Sequence, residues 1–397
     1  MDSRGMPTIE ADVCVGNIFG RAAVPSGKST GKHEALEKRD GGSAYAGAGV
    51  LNEVRSINDV IAPVLMGLKI TDQVVIDERI KELDASEQKS NLGGNTTLAV
   101  SLAAARAAAL YQSQPLWQYL SELAGSAPAA PRVLFNVING GLHAGGKLAF
   151  QEYHVVPKTT DVGVDIRIGA EIYNVLHNIL LEEFGPQATN VGDEGGFTPP
   201  CRNSLEPFAL IWRAVEKLKY GDLVELGMDA AASSFYKNKL YHLDGQSLMP
   251  ESLNALYQKL ATTYPFVELE DPFQEGDLDS FRTLREDFGE WPLIVGDDLT
   301  VTTGKYIDEA AKAGAIGAVI IKVNQIGTLT EALSAAATAR SYGCKLIVSH
   351  RSGETEDPFI SHLAWGLGAW GLKAGAPARG ERTAKYNELI RIAETSI

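Results

Sequence analysis

The sequence predicts an α/β protein in which an N-terminal α+β domain precedes a (β/α)8 barrel. The barrel is predicted by a pattern between residues 266 and 373, where short apolar runs each end in polar or charged residues. These runs are Val267-Glu268-Leu269, Leu293 to Gly296, Ala318 to Ile321 and Leu346 to Ser349. Successive ends are about 25 to 28 residues apart, enough for one strand, one loop and one helix. Parallel strands that end in polar side chains are typical of a barrel with an active site at its C-terminal face.

Residues 1–126 are predicted to form the N-terminal domain. Alternating segments from Pro7 to Val13 and from Asn17 to Val24 indicate a β-hairpin. Helical periodicity then predicts three helices, at 50–65, 73–83 and 97–109. A connector rich in Pro and Ala, at 126–131, marks the boundary. The barrel is therefore expected to occupy residues 131–397.

The first part of the barrel follows the same logic. Strands are predicted at 135–139, 153–157 and 225–229, with helices at 165–184 and 205–218 between the last two strands.

Composition restricts the function classes. The chain has 397 residues, 45% hydrophobic content and a net charge of −14, which supports a large core and argues against a nucleic-acid-binding surface. No apolar run reaches the roughly 18 residues of a membrane span, and no signal peptide is visible. The three cysteines form no CxxC pair, which favours a reducing compartment. We expect a soluble cytoplasmic protein with no membrane or nucleic-acid partner.

A small-residue loop, Gly27-Lys28-Ser29-Thr30, ends like a phosphate-binding P-loop. That motif also requires glycine at position 22, where this chain has Ala22, so the P-loop interpretation is rejected. A loop of this composition is suited to folding over an anionic ligand. The alternative is an inert surface turn.

Three carboxylates, Asp229, Glu270 and Asp297, stand at the ends of successive predicted strands. Converging carboxylates repel one another unless a cation lies among them, and oxygen ligands suit Mg²⁺. The pattern predicts a magnesium site, the alternative being solvated charges at loop ends.

Cations follow the later strands. Lys322 comes directly after an apolar run, where burial and a nearby metal would lower its pKa and make it a base; a buried ion pair is the alternative. Arg351 and Lys373 add positive charge at neighbouring strand ends, which indicates a small, highly anionic substrate such as a phosphorylated acid. His143 and His350, taken singly, are equally compatible with ordinary hydrogen-bonded histidines.

With these residues in view, the chain resembles the enolases, the phosphopyruvate hydratases of glycolysis, from Asp2 to about Ile392. The matching motifs are Arg21 to Gly27, Asn139-Gly140-Gly141, His143-Ala144-Gly145, Gln151-Glu152, Gly192 to Gly196, Glu270-Asp271-Pro272, Asp297 to Thr300, Lys322 to Thr328, Ser349 to Thr355 and Lys373 to Pro377.

The resemblance implies an enolase-type barrel of ββαα(βα)6 order and a hydro-lyase that reversibly dehydrates 2-phosphoglycerate to phosphoenolpyruvate. Lys322 would be the base and Glu194 the general acid, which must then hold a proton at working pH. Two Mg²⁺ would take part, the first held by Asp229, Glu270 and Asp297 and the second by Ser29 and the substrate. The residues implied to bind or place the substrate are His143, Gln151, Glu152, His350, Arg351, Ser352 and Lys373. A homodimer or higher homo-oligomer is also implied.

One departure leaves an alternative open, because Lys28 stands where the family usually has alanine. An extra cation in the substrate loop would suit a related enzyme acting on a phospho- or phosphono-acid, such as a carboxyphosphonoenolpyruvate synthase of phosphonate antibiotic production. From another class, an inactive binding protein on the same scaffold is disfavoured because Glu194, Lys322 and the three metal carboxylates are all present.

Overall fold

The chain begins with a two-stranded antiparallel hairpin. In the computed structural model, which describes residues 1–27, 31, 33–144 and 148–396, the hairpin consists of β1 (Glu10–Val15) and β2 (Ile18–Ala23). Gly16 at the turn has φ of 59°, a conformation that favours glycine. This confirms the predicted hairpin.

Helices follow the hairpin. In order they are α1 (Leu51–Ser56), a π-helical turn (Ile57–Ile61), α2 (Ala62–Leu65), α3 (Gln73–Leu83), α4 (Gly94–Tyr111) and α5 (Leu116–Ala124). Helix α4 packs against the hairpin. The helix predicted over 50–65 is present but widens at the π turn, because Pro63 has no N–H and its ring would clash with the carbonyl four residues earlier. Helix α5 was not predicted from the sequence.

The backbones of the hairpin and α4 lie in direct contact. A Cβ on Gly20 of β2 would stand 2.3 Å from the backbone nitrogen of Ala107, so only glycine allows this approach. Helix α4 is rich in alanine, whose small side chain also allows close packing, and it is buried along most of its length.

The rest of the chain forms a closed eight-stranded barrel surrounded by helices. Strands β3 (Arg132–Asn139) and β4 (Glu152–Pro157) come first, and helices α6 (Val162–Phe184) and α7 (Glu206–Lys217) follow. After β5 (Val224–Asp229) a small antiparallel sheet is inserted, made of β6 (Tyr236–Lys237), β7 (Leu240–Leu243) and β8 (Gln246–Leu248). The chain then continues with α8 (Pro250–Thr263), β9 (Phe266–Glu270), α9 (Leu278–Phe288), β10 (Leu293–Gly296), α10 (Gly304–Lys312), β11 (Ala318–Ile321), α11 (Leu329–Ser341), β12 (Lys345–Ser349), α12 (Phe359–Leu367), β13 (Gly371–Lys373) and α13 (Gly380–Thr395).

The strand order around the barrel is β10-β11-β12-β13-β3-β4-β5-β9. Only β4 runs against its neighbours, since both β3 and β5 pair with it antiparallel. The order ββαα(βα)6 implied by the resemblance is thereby confirmed, with the small sheet as an insertion that was not predicted. The domain boundary at 126–131 stays a prediction.

An apolar cluster shares its strand faces with the polar strand ends. Its buried members are Leu134, Val156, Val267, Leu293, Val295, Ala318, Ile320 and Ile347. Because side chains alternate along a strand, Leu293 and Val295 lie on the same face as Asp297, and Ala318 and Ile320 on the same face as Lys322. We call this cluster the apolar floor, because it lies beneath the polar residues. Within the described residues, none of the helices has the combination of length and apolar composition that a bilayer span requires.

Candidate active site

The polar strand ends meet in one cleft. Its lining residues are His143, Gln151, Glu152, Glu194, Asp229, Ala231, Asp271, Asp297, Asp298, Lys322, Ser349, His350, Arg351, Ser352 and Lys373. Of the predicted site residues, Glu270 lies just beneath this surface, in contact with Lys373. Ser29, together with Lys28, lies outside the described residues.

Lys373, at the end of β13, is surrounded by carboxylates. Its Nζ lies 2.8 Å from both carboxylate oxygens of Glu270, 3.3 Å from Glu152 Oε1 and 3.6 Å from Asp229 Oδ2. Burial alone would lower the pKa of Lys373, but these anions raise it well above its ordinary value. The lysine is therefore a fixed positive charge.

The single positive charge of Lys373 does not neutralise the carboxylates of Glu152, Asp229 and Glu270. Burial raises the pKa of Asp229 to about 6, with Glu152 and Asp297 adding to the effect and Lys373 opposing it. Burial and the charge of Asp229 likewise raise the pKa of Glu270 well above its ordinary value. Ionised carboxylates are thus disfavoured here, and a divalent cation would stabilise them, so the donor set fits Mg²⁺.

Two tighter groups of possible ligands occur in the same cleft. Among the described residues, the ligand atoms of His143, Glu152 and Glu194 lie within 4.8 Å of one another, as do those of Asp271, Asp297 and Asp298. Neither group coincides with the predicted trio of Asp229, Glu270 and Asp297. The amino groups of Lys322 and Lys373 instead lie against these three carboxylates.

The raised pKa of Asp229 predicts a pH-dependent effect on stability. Above about pH 6 its carboxylate is ionised and costs the metal-free fold stability, whereas below about pH 4 it is protonated in both the folded and unfolded states. Asp229→Asn should therefore raise the melting temperature of the metal-free protein at pH 8, and this gain should vanish at pH 4. Calorimetric melting at both pH values checks this, and an equal gain at both would contradict it.

Lys322 follows β11 and forms an ion pair with Asp297. Its backbone N–H donates to Thr302 Oγ1 at 2.9 Å, and Gln325 Nε2 donates to the other oxygen of Asp297 at 3.2 Å. Burial by itself would lower the pKa of Lys322, but the surrounding carboxylates, chiefly Asp297 and then Glu270, together raise it. This differs from the sequence prediction of a lowered pKa, which assumed a metal close to Lys322.

Glu194 lies in a loop beside two histidines. Its Oε1 is 3.2 Å from His143 Nδ1 and 3.6 Å from His350 Nε2, and Asn136 Nδ2 donates to its Oε2 at 2.8 Å. Burial would raise the pKa of Glu194, but His143 reverses the shift and lowers it. The charge of Glu194 overcomes burial at His143, whose pKa is raised. Both shifts favour a protonated His143 beside an ionised Glu194, whereas the resemblance implies a protonated Glu194.

His350 is held in one tautomer. The guanidinium of Arg382 only donates hydrogen bonds, so His350 Nδ1, which contacts Arg382 Nη1, must accept. Burial and the charge of Arg382 lower the pKa of His350 well below its ordinary value. The neutral ring therefore carries its proton on Nε2, which has no hydrogen-bond partner among the described residues and belongs to a side chain that lines the cleft.

Arg351 joins the barrel to the N-terminal part of the chain. Its Nη1 donates to Glu34 Oε2 at 3.0 Å and to Asn324 Oδ1 at 2.8 Å. Nearby, Ser26 and Gly353 exchange two backbone hydrogen bonds, of 2.7 and 2.9 Å. The N-terminal part of the chain is therefore attached to the barrel next to the cleft, through a residue that lines it.

Several supporting residues escaped the sequence analysis. They are Glu34, Asn136, His154, Glu268, Asp271 and Arg382. A signal was present for two of them, because Glu268 and Glu270 flank a single leucine in a strand and His154 lies two residues after Glu152. Polar residues at alternate positions of a buried strand point to its polar face. Glu34 and Arg382 gave no such signal, since their contacts depend on distant parts of the chain.

The fold and the cleft together define a class: an acid–base enzyme that binds an anionic substrate, and a metal, at the mouth of a (β/α) barrel. Two family models match the chain, "Enolase, N-terminal domain" over residues 1–120 and "Enolase, C-terminal TIM barrel domain" over residues 128–396. The chain belongs to the enolase family and is a hydro-lyase.

Individual relatives agree with this assignment. The enolase of Thermococcus kodakarensis is 48% identical over 403 residues, covering 99% of this chain and 92% of the relative. The enolase of Pyrococcus furiosus gives the same identity and coverage. The enolase of Methanocaldococcus jannaschii is 47% identical over 394 residues, again covering 99% of this chain and 92% of the relative. Family membership therefore rests on nearly the whole chain.

Proposed function

We propose that the chain reversibly dehydrates 2-phosphoglycerate to phosphoenolpyruvate. The observation that carries the proposal is the placement of the base and the acid. Lys322 follows β11 and Glu152 begins β4, which are four strands apart in a barrel of eight and so face each other across it. Glu194 lies on the side of Glu152, because His143 contacts both carboxylates. A substrate bound between β11 and β4 would lose a proton on the side of Lys322 and hydroxide on the side of Glu194.

Lys322 is the proposed base that removes the proton next to the substrate carboxylate. The reaction needs its neutral amine, whereas Asp297 now holds the ammonium form. A cation bound to Asp297 would offset the negative charge of its carboxylate. This would weaken the ion pair and lower the pKa of Lys322. The lysine would then act near neutral pH.

Glu194 and His143 together are the proposed acid. His143 Nδ1 and Glu194 Oε1 lie 3.2 Å apart, and a proton held by this pair would pass to the leaving hydroxyl. Glu152, 3.9 Å from His143, stays ionised and orients that hydroxyl. Gln151 Nε2 donates to Asp229 Oδ2 at 3.2 Å and is a supporting residue.

Two groups of residues would hold the substrate. Arg351 and Ser352 would bind the phosphate, and Arg351 is already oriented by Glu34 and Asn324. Lys373 and the Nε2–H of His350 would bind the remaining polar groups. All four side chains line the cleft.

Asp229, Glu270 and Asp297 would hold one Mg²⁺, and Ser29 together with the substrate would hold a second. Bound there, the ions would stabilise the negative charge that develops on the substrate carboxylate when its neighbouring proton leaves. We also propose a cytoplasmic homodimer or higher homo-oligomer, which light scattering of the purified protein tests.

The alternative of a phosphono-acid enzyme is not favoured. The relatives reported above are named enolase and cover nearly the whole chain. Its motivating residue, Lys28, lies outside the described residues and adds no structural support.

The test is direct. Purified protein with Mg²⁺ and 2-phosphoglycerate should produce phosphoenolpyruvate, followed by the ultraviolet absorbance of the enol phosphate, and chelation of Mg²⁺ should abolish the signal. Folded protein that binds Mg²⁺ but leaves 2-phosphoglycerate unchanged would overturn the proposal.

A further inference from the structure

A buried chain of charged side chains lies beneath Glu152. His154 Nε2 is 3.0 Å from Glu152 Oε2, and its Nδ1 is 2.6 Å from Glu268 Oε1. His154 and Glu268 are fully buried, and Glu152 is 2% exposed. These contacts link β4 to β9, two strands separated by β5 in the barrel.

The two contacts favour a protonated His154. Between two ionised carboxylates, which accept hydrogen bonds and cannot donate them, each ring nitrogen donates and the ring is an imidazolium. Burial opposes this charge, but Glu268 and Glu152 overcome burial and raise the pKa of His154 to about 9. The same contact, together with Lys373, helps to lower the pKa of Glu152 to about 2 against the effect of burial.

The arrangement fixes which oxygen of Glu152 is available. Oε2 is occupied by His154, which leaves Oε1, 3.3 Å from Lys373 Nζ and 3.9 Å from His143 Nδ1. Both of those residues line the cleft. Without His154 the carboxylate would be free to rotate, because its second oxygen would lose its only charged donor among the described contacts.

We propose that His154 and Glu268 are positioning residues that hold Glu152 in its ionised, reactive orientation. This rests on the role of Glu152 in the proposed function. His154 takes its orientation from Glu268, and Glu152 takes its orientation from His154. Neither positioning residue lines the cleft, so both act on the substrate only through Glu152.

A packing role alone would not require these residue types. Along the same face of β4, Val156 belongs to the apolar floor, and so does Val267 next to Glu268. Burying three ionisable groups where apolar residues already pack costs desolvation energy, and apolar replacements of similar volume are often tolerated or stabilising. The charges are thus better explained by their effect on Glu152 than by stability.

The first test is the double variant His154→Leu/Glu268→Leu, which removes both charges without leaving one unpaired. We expect it to fold, with kcat for 2-phosphoglycerate lowered about 10- to 100-fold and KM little changed, because orientation rather than binding is lost. The matched variant His154→Gln/Glu268→Gln retains side-chain donors and should recover part of kcat. Unchanged kcat in a folded Leu/Leu variant would overturn the proposal, and the Gln/Gln variant decides if the Leu/Leu variant does not fold.

The second test does not depend on turnover. Nitrogen NMR of protein labelled in its histidines, without substrate, should show two buried rings protonated on both nitrogens at pH 7.5, those of His143 and His154. The His154 signal is the one that should be absent in the Leu/Leu variant, and it should be shifted by Glu152→Gln. A neutral His154 ring at pH 7.5 would overturn the inference. If the wild-type protein does not convert 2-phosphoglycerate, the proposed function fails, and this measurement still decides whether His154 holds Glu152.

Discussion

Replacing Lys322 with alanine is expected to lower kcat by about 10²- to 10⁴-fold, the range for loss of a positioned general base. The substrate should still bind, because Arg351, Ser352 and Lys373 are unchanged, so KM should move much less than kcat. The absorbance assay with 2-phosphoglycerate and Mg²⁺ measures both constants.

The matched control is Lys345→Ala, which removes an exposed lysine at the opposite end of the neighbouring strand β12. Its kcat should equal that of the wild type. Because Asp297 loses its partner in Lys322→Ala, the melting temperature of that variant should be recorded in Mg²⁺. A folded Lys322→Ala protein with more than about a tenth of wild-type kcat would exclude Lys322 as the base.

Replacing Glu270 with glutamine should weaken Mg²⁺ binding at least about a hundredfold, which corresponds to about 2.7 kcal/mol. Glutamine keeps the shape of the side chain but removes the negative charge that would attract Mg²⁺. Without a cation, burial already disfavours the ionised form of Glu270. Turnover should fall in parallel and recover only in part at high Mg²⁺. Calorimetric titration of the metal without substrate gives the affinity separately from activity.

Glu275→Gln is the control for this variant, since Glu275 is exposed five residues further along the chain. Its affinity for Mg²⁺ should match the wild type. Equal Mg²⁺ affinity in Glu270→Gln and wild type would remove Glu270 from the metal site.

The sequence predicted the parts of the site that depend on strand ends. Asp297 and Lys322 each follow an apolar run, and the barrel geometry was enough to bring them together. Helix α5 and the small inserted sheet were missed, and so was the widening of the helix before Pro63. The helix and the insertion lie outside the repeating pattern on which the fold prediction relied.

The protonation states of the site residues were also beyond what the sequence could predict. The resemblance implied that Glu194 and His143 lie in one site and that Glu194 holds a proton, but it gave no distance between the two side chains, which is 3.2 Å. The ion pair of Lys322 with Asp297 was foreseen only as an alternative. Such assignments depend on a few tenths of an ångström and on burial, which spacing along the chain does not contain.

The contact between Arg351 and Glu34 has a consequence for how the chain unfolds. The proposed phosphate ligand belongs to the barrel, and the carboxylate that orients it belongs to the segment before the barrel. Ser26 and Gly353 add a backbone connection at the same place. The attachment of the N-terminal part to the barrel and the proposed binding of substrate therefore both involve Arg351. Substrate bound at Arg351 would therefore stabilise the attached state, because separation of the two parts removes the carboxylate that orients Arg351.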